Sequence, residues 1–351
     1  MHNVRISAHY QNSPENSASS MPALNLLDKN PFCELLRIPY PICQAGMYQV
    51  AYGELAAAVS EAGGLGVIGS AFMEPEQLRR EIRLVKERTS KPFGVDILFA
   101  EVSGDDVTGT GYSRQVEAHI QVTFEEGVDV LISGLGNPGR VVEDAHTRGM
   151  KVMSLVGNVN QARSVEASGV DVVIASGHEG GGHVGRIGTI SLIPKVVDSV
   201  NIPVLAAGGI ADGRGLVAAL AMGAQGVWLG TRFIATKEAR GHENYKQKIV
   251  DINEDGTVVT RAHSGKPNRM IRNKFTDSWE GQEHEIKPFP QQLREIGEYH
   301  SIRGRIDGDI EMGVLPAGQG AGLIKSVPPA KQVVSDIVDE ARSLLAEWDR
   351  A

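Results

Sequence analysis

The sequence predicts an α/β fold, a (β/α)8 TIM barrel with an inserted lid segment after the eighth strand. Three observations lead there: short β-branched runs that end in glycine, helical segments of ten to fifteen residues between them, and a polar stretch late in the chain that breaks the rhythm.

The eight runs are YPICQAG (40–46), LGVIGS (65–70), PFGVDILF (92–99), VDVLISG (128–134), KVMSLVG (151–157), VDVVIASG (170–177), IPVLAAGG (202–209) and QGVWLG (225–230). Between them lie helix candidates such as GELAAAVSEAGG, PEQLRREIRLVKERT, SRQVEAHIQVTFEEG, GRVVEDAHTRG, NQARSVEASG, LIPKVVDSV and GRGLVAALAMG, most with apolar residues three or four apart. A weak internal echo points to one repeated unit. EEGVDVLISG, EASGVDVVIASG and AMGAQGVWLG each place a helix end and a glycine just before a strand. Alternation of this kind indicates βαβ units and a parallel sheet, and a count of eight favours closure. A doubly wound open sheet is the structural rival.

Residues 1–30, rich in Ser, Asn and Pro, read as a disordered leader. The barrel follows over 31–239. Residues 240–311 are polar and charged with scattered apolar positions, as expected of an insertion or lid over the mouth of the barrel. Residues 312–351 return to the barrel through VLPAGQGAGLI and close on an amphipathic helix, AKQVVSDIVDEARSLLAEW.

Composition narrows the function. A chain of 351 residues could hold two domains, but barrels commonly run past ~250 residues as one unit. With 35 Lys+Arg against 43 Asp+Glu and a formal charge of −8, the chain lacks the basic excess of a nucleic-acid binder. Cys33 and Cys43 have no CxxC spacing and read as ordinary thiols of a reducing, cytoplasmic compartment. No run approaches the ~18 apolar residues of a membrane span, and the first 25 residues lack the apolar run of a secretory signal. Oligomeric state stays open, a homodimer included. Glycine is 41 of 351 residues, about 12% against a usual ~7%, so glycine is serving backbone geometry.

That glycine gathers at the carboxyl ends of the strands, the face on which barrels build their sites. AAGGIADGRG (206–215) follows the seventh strand and LGTRF (229–233) the eighth, on neighbouring loops. Bare backbone N–H groups near a helix N-terminus cradle phosphate, which makes Gly208, Gly209, Gly230 and Thr231 candidate phosphate ligands. The competing reading, tight turns alone, loses weight because two such loops occur at paired positions. The sixth strand runs into ASGHEGGGHVGRIGT, where the i,i+5 spacing of His178 and His183 within a glycine loop argues against a metal site, and none is expected. His183 suits general acid/base work, whereas His178 reads as a structural hydrogen bonder. His119 and His146 fall in helices as packing or surface residues. The remaining histidines lie in the leader or insertion, from which one could still reach a substrate. In RAHSGKPNRMIRNKF (261–275) a solvated basic turn competes with a contact to an anionic substrate tail.

QAGM (44–47), KPFGVD (91–96), GHEGGGHVG (177–185), IPVLAAGGIADGRG, GAQGVWLGTRF (223–233) and PAGQGAGL (316–323), taken together and in order, resemble the nitronate monooxygenase family, formerly grouped as 2-nitropropane dioxygenases. They resemble equally the related flavin-dependent enoyl-acyl-carrier-protein reductases. The resemblance implies non-covalent FMN at the strand carboxyl ends. Gln44, Ala45, Gly46, Met47 and Asp96 would line the cofactor together with Gly181 and Gly182, and Gly46 and Met47 would lie beside its ring. Gly208, Gly209, Gly230 and Thr231 would hold its phosphate, and Gly318 with Gln319 would approach the ring from the returning loop. His183 falls on the family's catalytic histidine. Many relatives carry Asn where this chain has Asp96, and the glycine loop also departs from theirs at its first small residue.

Two activities follow from that resemblance. One is oxidation of small alkyl nitronates with O2 to carbonyl compounds and nitrite, with His183 as general base. The other is reduction of an enoyl thioester with NADH or NADPH as electron donor, for which Lys266, Arg269 or Arg272 at the mouth would favour an acyl tail. A phosphate-sugar or nucleotide-binding barrel without redox chemistry is a third reading, and it predicts a colourless protein.

Overall fold

A computed structural model describes residues 25–99 and 112–350. Eight parallel strands form one sheet: β1 (Ile42–Gln44), β2 (Gly66–Gly69), β3 (Phe93–Leu98), β4 (Val130–Leu135), β5 (Lys151–Val156), β6 (Val172–Ser176), β8 (Val204–Ala207) and β9 (Gly226–Leu229), with a two-residue strand, β7 (Gly182–His183), lying outside it. Their order is β1-β9-β8-β6-β5-β4-β3-β2. The two end strands meet: Cys43 bridges Leu65, with Gln44 N donating to Leu65 O and Leu65 N to Ile42 O, both at 2.9 Å. The sheet is therefore a closed ring, and the open doubly wound alternative is excluded. Seven of the eight runs read from the sequence contain one of these strands, and β4 extends one residue past the fourth, to Leu135.

The strands read as apolar runs because both of their faces are covered. Ile42, Ile68, Val95, Leu131, Val173 and Val227 pack outward against helices, whereas Cys43, Val67, Ile132, Met153, Ile174, Leu205 and Trp228 fill the interior. Helix Pro31–Leu36 plugs the base, placing Phe32, Cys33 and Leu36 in that interior cluster. Asn30 caps this helix by accepting from Phe32 N and Cys33 N, and it donates to Gln225 O at 2.9 Å. Most of the expected leader, residues 1–24, lies outside the described residues. From residue 25 the description begins with a helical turn at Asn25–Asp28 and a buried Leu27. Cys33 and Cys43 are buried free thiols, and burial pushes Cys33 up to about 12.

The internal echo has a backbone cause. Gly127, Gly169 and Gly223 have φ of 58°, 87° and 90°, the left-handed turn that ends a helix and feeds the next strand. The closing helix, Ala330–Trp348, lies so close to helix Gly213–Ala221 that a Cβ on Gly213 would fall 2.6 Å from Ala341 N. Among the described residues no helix is long and apolar enough to cross a membrane.

The insertion has its own small core, which its polar composition concealed. Ala262, Met270, Phe275 and Ile286 pack together with Val314 of the returning segment, and Trp279 and Ile296 pack against them. It contributes β10 (Thr257–Thr260) and β11 (Asn268–Ile271), which pair antiparallel. β11 also pairs with β7, aligning Asn268 with His183 and Arg269 with Gly182. The inserted segment is thereby stitched to the loop after β6 by backbone hydrogen bonds.

At the β1–β2 seam the side chain of Gln44 supplements the ladder: Oε1 accepts from Val67 N and Nε2 donates to Val67 O, each at 3.0 Å. Replacing Gln44 with Ala leaves two buried backbone groups unpaired, at about 1–3 kcal/mol each. The Gln44→Ala variant is expected to lose at least ~2 kcal/mol in urea unfolding, read as a lower midpoint at unchanged slope.

Candidate active site

β8 and β9 are neighbours, so the glycines that follow them share one corner of the strand carboxyl ends. Gly208 and Gly209 have φ of 99° and 76°, and Gly230 caps the short helix Thr231–Ile234. A Cβ on Gly208 would stand 3.0 Å from Gly177 O and from Thr189 Oγ1. One on Gly181 would stand 2.7 Å from Gly318 N, and one on Gly318 2.6 Å from Glu179 O. Gln319 N donates to Glu179 O and Gly318 N to Thr231 Oγ1, both at 2.9 Å. The loops after β6, β8 and β9 and the returning segment thus interlock through backbone. Gly181, Gly208, Gly209, Thr231, Gly318 and Gln319 all belong to this corner. The Gly318–Gln319 segment joins it at Thr231, on the side where a phosphate is expected.

Glu179 organises that corner. Thr189 N donates to its carboxylate at 2.9 and 3.1 Å, and Thr189 Oγ1 lies 2.9 Å from Oε2, capping helix Thr189–Val197 from ten residues upstream. Arg232, next to Thr231, is buried and donates to Ala235 O and Ser326 O, adding a positive charge behind the cradle.

The adjoining side is built where β1, the neighbour of β9, ends. A Cβ on Gly69 would sit 2.5 Å from Met47 N, and one on Gly230 3.7 Å from Met47 Sδ and 3.8 Å from Ala45 Cβ. Ala45, Gly46 and Met47 therefore lie against the exits of β2 and β9. Gln44 is spent on the barrel wall, with both polar atoms of its amide engaged by backbone. Asp96, on the interior face of β3, lies between Gly46 and Gly134: a Cβ on either would fall 2.3 Å from Asp96 Cβ or 2.5 Å from Oδ1, respectively. Its Oδ1 is buried with no hydrogen-bond partner.

His183 is exposed in the loop that β11 holds. Its Nε2 lies 2.8 Å from Ser264 Oγ, and its ring centroid is 6.4 Å from that of the buried His263. Desolvation by the surrounding walls, then the positive charges of Lys266 and Arg305, lower the His183 imidazole to about 4, so the ring is neutral at pH 7. His263 is pushed well down by burial, with Arg305 and His183 adding to the effect. Arg305 is buried. Its Nη1 donates to Tyr48 O at 3.1 Å and its guanidinium lies 5.4 Å from the Tyr48 ring centre. Among the described residues no carboxylate pairs with it.

His178 Nδ1 bonds Gly185 O at 2.7 Å, the structural role read for it. His119 is buried against Ser70 and Met73 O, and His146 bonds Asp171 on the surface. Of the three basic residues considered for the mouth, Arg269 instead anchors the His178 carbonyl and Thr257, and Arg272 pairs outside with Asp277 and Glu280. Only Lys266 acts on His183. His263 and Ser264 lie in the RAHSGKPNRMIRNKF stretch of the insertion, singled out for its basic residues, with His263 among the insertion histidines able to reach a substrate; Arg305 carries no motif. Among the described residues no group of His, Cys, Asp or Glu is placed to hold a metal ion.

Comparison with known proteins decides the family. The family model for nitronate monooxygenase matches residues 29–340. This chain belongs to the nitronate monooxygenase family. It is 32% identical to a Staphylococcus aureus protein named probable nitronate monooxygenase, over 91% of this chain and 99% of the other. FabK from Thermotoga maritima superposes with a TM-score of 0.82 at 42% identity, covering 91% of this chain and 98% of that one. Nitroalkane oxidase from Streptomyces ansochromogenes superposes with a TM-score of 0.81 at 30% identity, covering 90% and 99%.

Membership makes the chain an oxidoreductase of a flavin-using family. Its residues fit such a cofactor. Bare backbone at Gly208 and Gly209 and the Thr231 hydroxyl suit a phosphate, and the orphan Oδ1 of Asp96 suits a flat ring with polar edges. Gly208→Ala puts a side chain at φ 99° and 3.0 Å from a carbonyl, so that variant is expected to melt several degrees lower and to purify with less bound flavin by absorbance.

Proposed function

We propose that this protein binds FMN and oxidises small alkyl nitronates with dioxygen to carbonyl compounds and nitrite. The observation that carries this reading is the charge arrangement around His183. Among the described residues Arg305 is buried with no carboxylate beside it, and its charge and that of Lys266 both act on the His183 imidazole, which is neutral. A buried cation lacking a counter-ion is costly, and an anion of two oxygens on one planar centre matches a guanidinium fork. A nitronate is such an anion.

FMN, when bound, supplies the electron-accepting chemistry that no side chain here can. Gly208, Gly209, Gly230 and Thr231 would hold its phosphate and Ala45, Gly46, Met47 and Asp96 would line its ring, with Gly181 and Gly182 in the loop that leads to His183. Arg305 and Lys266 draw in the anionic substrate and orient it. His183, fixed by Ser264, offers a neutral ring to it. An imidazole this depressed is a weak base, so the preformed nitronate suits the site better than a neutral nitroalkane that must first lose its proton. Once an anion binds beside it, its affinity for a proton rises.

A second reading is reduction of an enoyl thioester with NADH or NADPH, favoured by the higher identity to FabK, 42% against 30% for the nitroalkane oxidase. Anaerobic mixing separates the two. Nitronate is expected to bleach the flavin rapidly and NAD(P)H slowly, and the reverse order would transfer the assignment to the reductase.

His183→Ala is expected to retain flavin and slow turnover about tenfold or more, the scale of a lost hydrogen bond to a charged group. Because the folded-state value lies near 4, kcat/KM for nitronate should stay level between pH 6 and 8.5, with no inflection near the ordinary histidine value. Arg305→Met is expected to raise KM for nitronate about tenfold or more while kcat changes less, the pattern of a lost charge-assisted contact.

A further inference from the structure

Asp96 is the one buried Asp or Glu among the described residues. It is 8% exposed, its Oδ1 has no partner, and no cation reaches it. Two strands keep bare backbone around it: the Cβ that Gly46 lacks would fall 2.5 Å from Oδ2, and the one Gly134 lacks would fall 2.5 Å from Oδ1 and 2.8 Å from Oδ2. Any larger residue at either place would displace the carboxyl.

The neighbouring elements bring no charge to it. From β2, Ser70 donates to the Asp96 backbone carbonyl, and behind Ser70 stands His119, which burial lowers. β1 carries Cys43, a buried thiol pushed well up. β4 presents Ile132 and Gly134. With desolvation dominant and only the Gly134 amide opposing it, the Asp96 carboxyl is raised to about 8 and is a neutral acid at pH 7. A flat ring laid across Gly46 would strip away the remaining solvent and hold the proton more firmly.

We infer that Asp96 sits under the cofactor as a carboxylic acid and donates its proton in a hydrogen bond to an acceptor atom of the flavin ring, so that FMN binding takes up a proton at alkaline pH. This rests on the FMN reading above and goes beyond it. An Asn at this position would donate at every pH, whereas Asp96 donates only while protonated. Cofactor retention therefore becomes pH-sensitive: constant below the titration, then weaker by up to tenfold per pH unit above it.

The test is FMN binding to the full-length protein between pH 7 and 9.5, followed by flavin fluorescence, together with calorimetry in two buffers of different ionisation enthalpy to count protons. Uptake approaching one proton per FMN at pH 9, with Kd rising between pH 8 and 9.5, is expected for the wild type. Neither is expected for Asp96→Asn. Release of a proton, no exchange, or the same pH dependence in Asp96→Asn would overturn the inference while leaving FMN binding intact. Absence of FMN binding at every pH would overturn both readings. The wild-type proton count needs no variant.

A second measurement uses the protein without FMN. Because the folded-state value is raised from 3.8 to about 8, the contribution of Asp96 to stability is full below about pH 4, is lost progressively as pH rises towards 8 and changes no further above it. The wild type should therefore lose melting temperature between about pH 5 and 8 relative to Asp96→Asn. Parallel curves across that range would contradict a neutral Asp96.

Discussion

The close approach of peptide backbone at the mouth of the barrel is the constraint on which the rest depends. Gly46, Gly134, Gly181, Gly208 and Gly318 each stand where a Cβ would fall within about 3 Å of another loop or of Asp96. A side chain at any of them forces loops apart that carry the cradle, the floor and the His183 turn. The glycine excess is concentrated where this geometry demands it. The mouth consequently offers amide groups and a few polar atoms rather than a packed wall, which is what a phosphate and a flat ring require.

Charge at this site is arranged in uncompensated halves. Among the described residues Asp96 has no cation beside it and Arg305 and Lys266 have no paired acid, while the His183 imidazole on which those two cations act is neutral. Isolated buried charges and orphan polar atoms cost stability, and proteins retain them chiefly where a ligand completes the set. Burial keeps Asp96 uncharged at neutral pH, and desolvation together with the charges of Lys266 and Arg305 does the same for His183.

The barrel was legible because its strands are buried on both faces and end in glycine, and because left-handed glycines such as Gly127, Gly169 and Gly223 recur before strands. The glycine-rich corner after β8 and β9 was legible for the same reason. Other features depend on contacts between residues distant in sequence and leave no local trace. Helix Thr189–Val197 starts three residues before the apolar pattern suggests because its cap is Glu179. The insertion looked formless since β11 finds its partner in a two-residue strand far upstream. Gln44 sits in a motif that suggests a ligand, yet the seam between β1 and β2 takes its amide. Arg305 is one arginine in a charged helix until the fold buries it beneath Tyr48. Asp96 could be flagged only as a departure from relatives; the absence of a partner for Oδ1 emerges from tertiary packing.

The most direct measurement is a crystal structure of the protein grown with FMN. Phosphate density at Gly208, Gly209, Gly230 and Thr231, with the ring lying on Gly46 and over Asp96, is the expected result. Density for the cofactor elsewhere, or a saturated crystal whose strand ends hold none, would contradict the site described for this barrel.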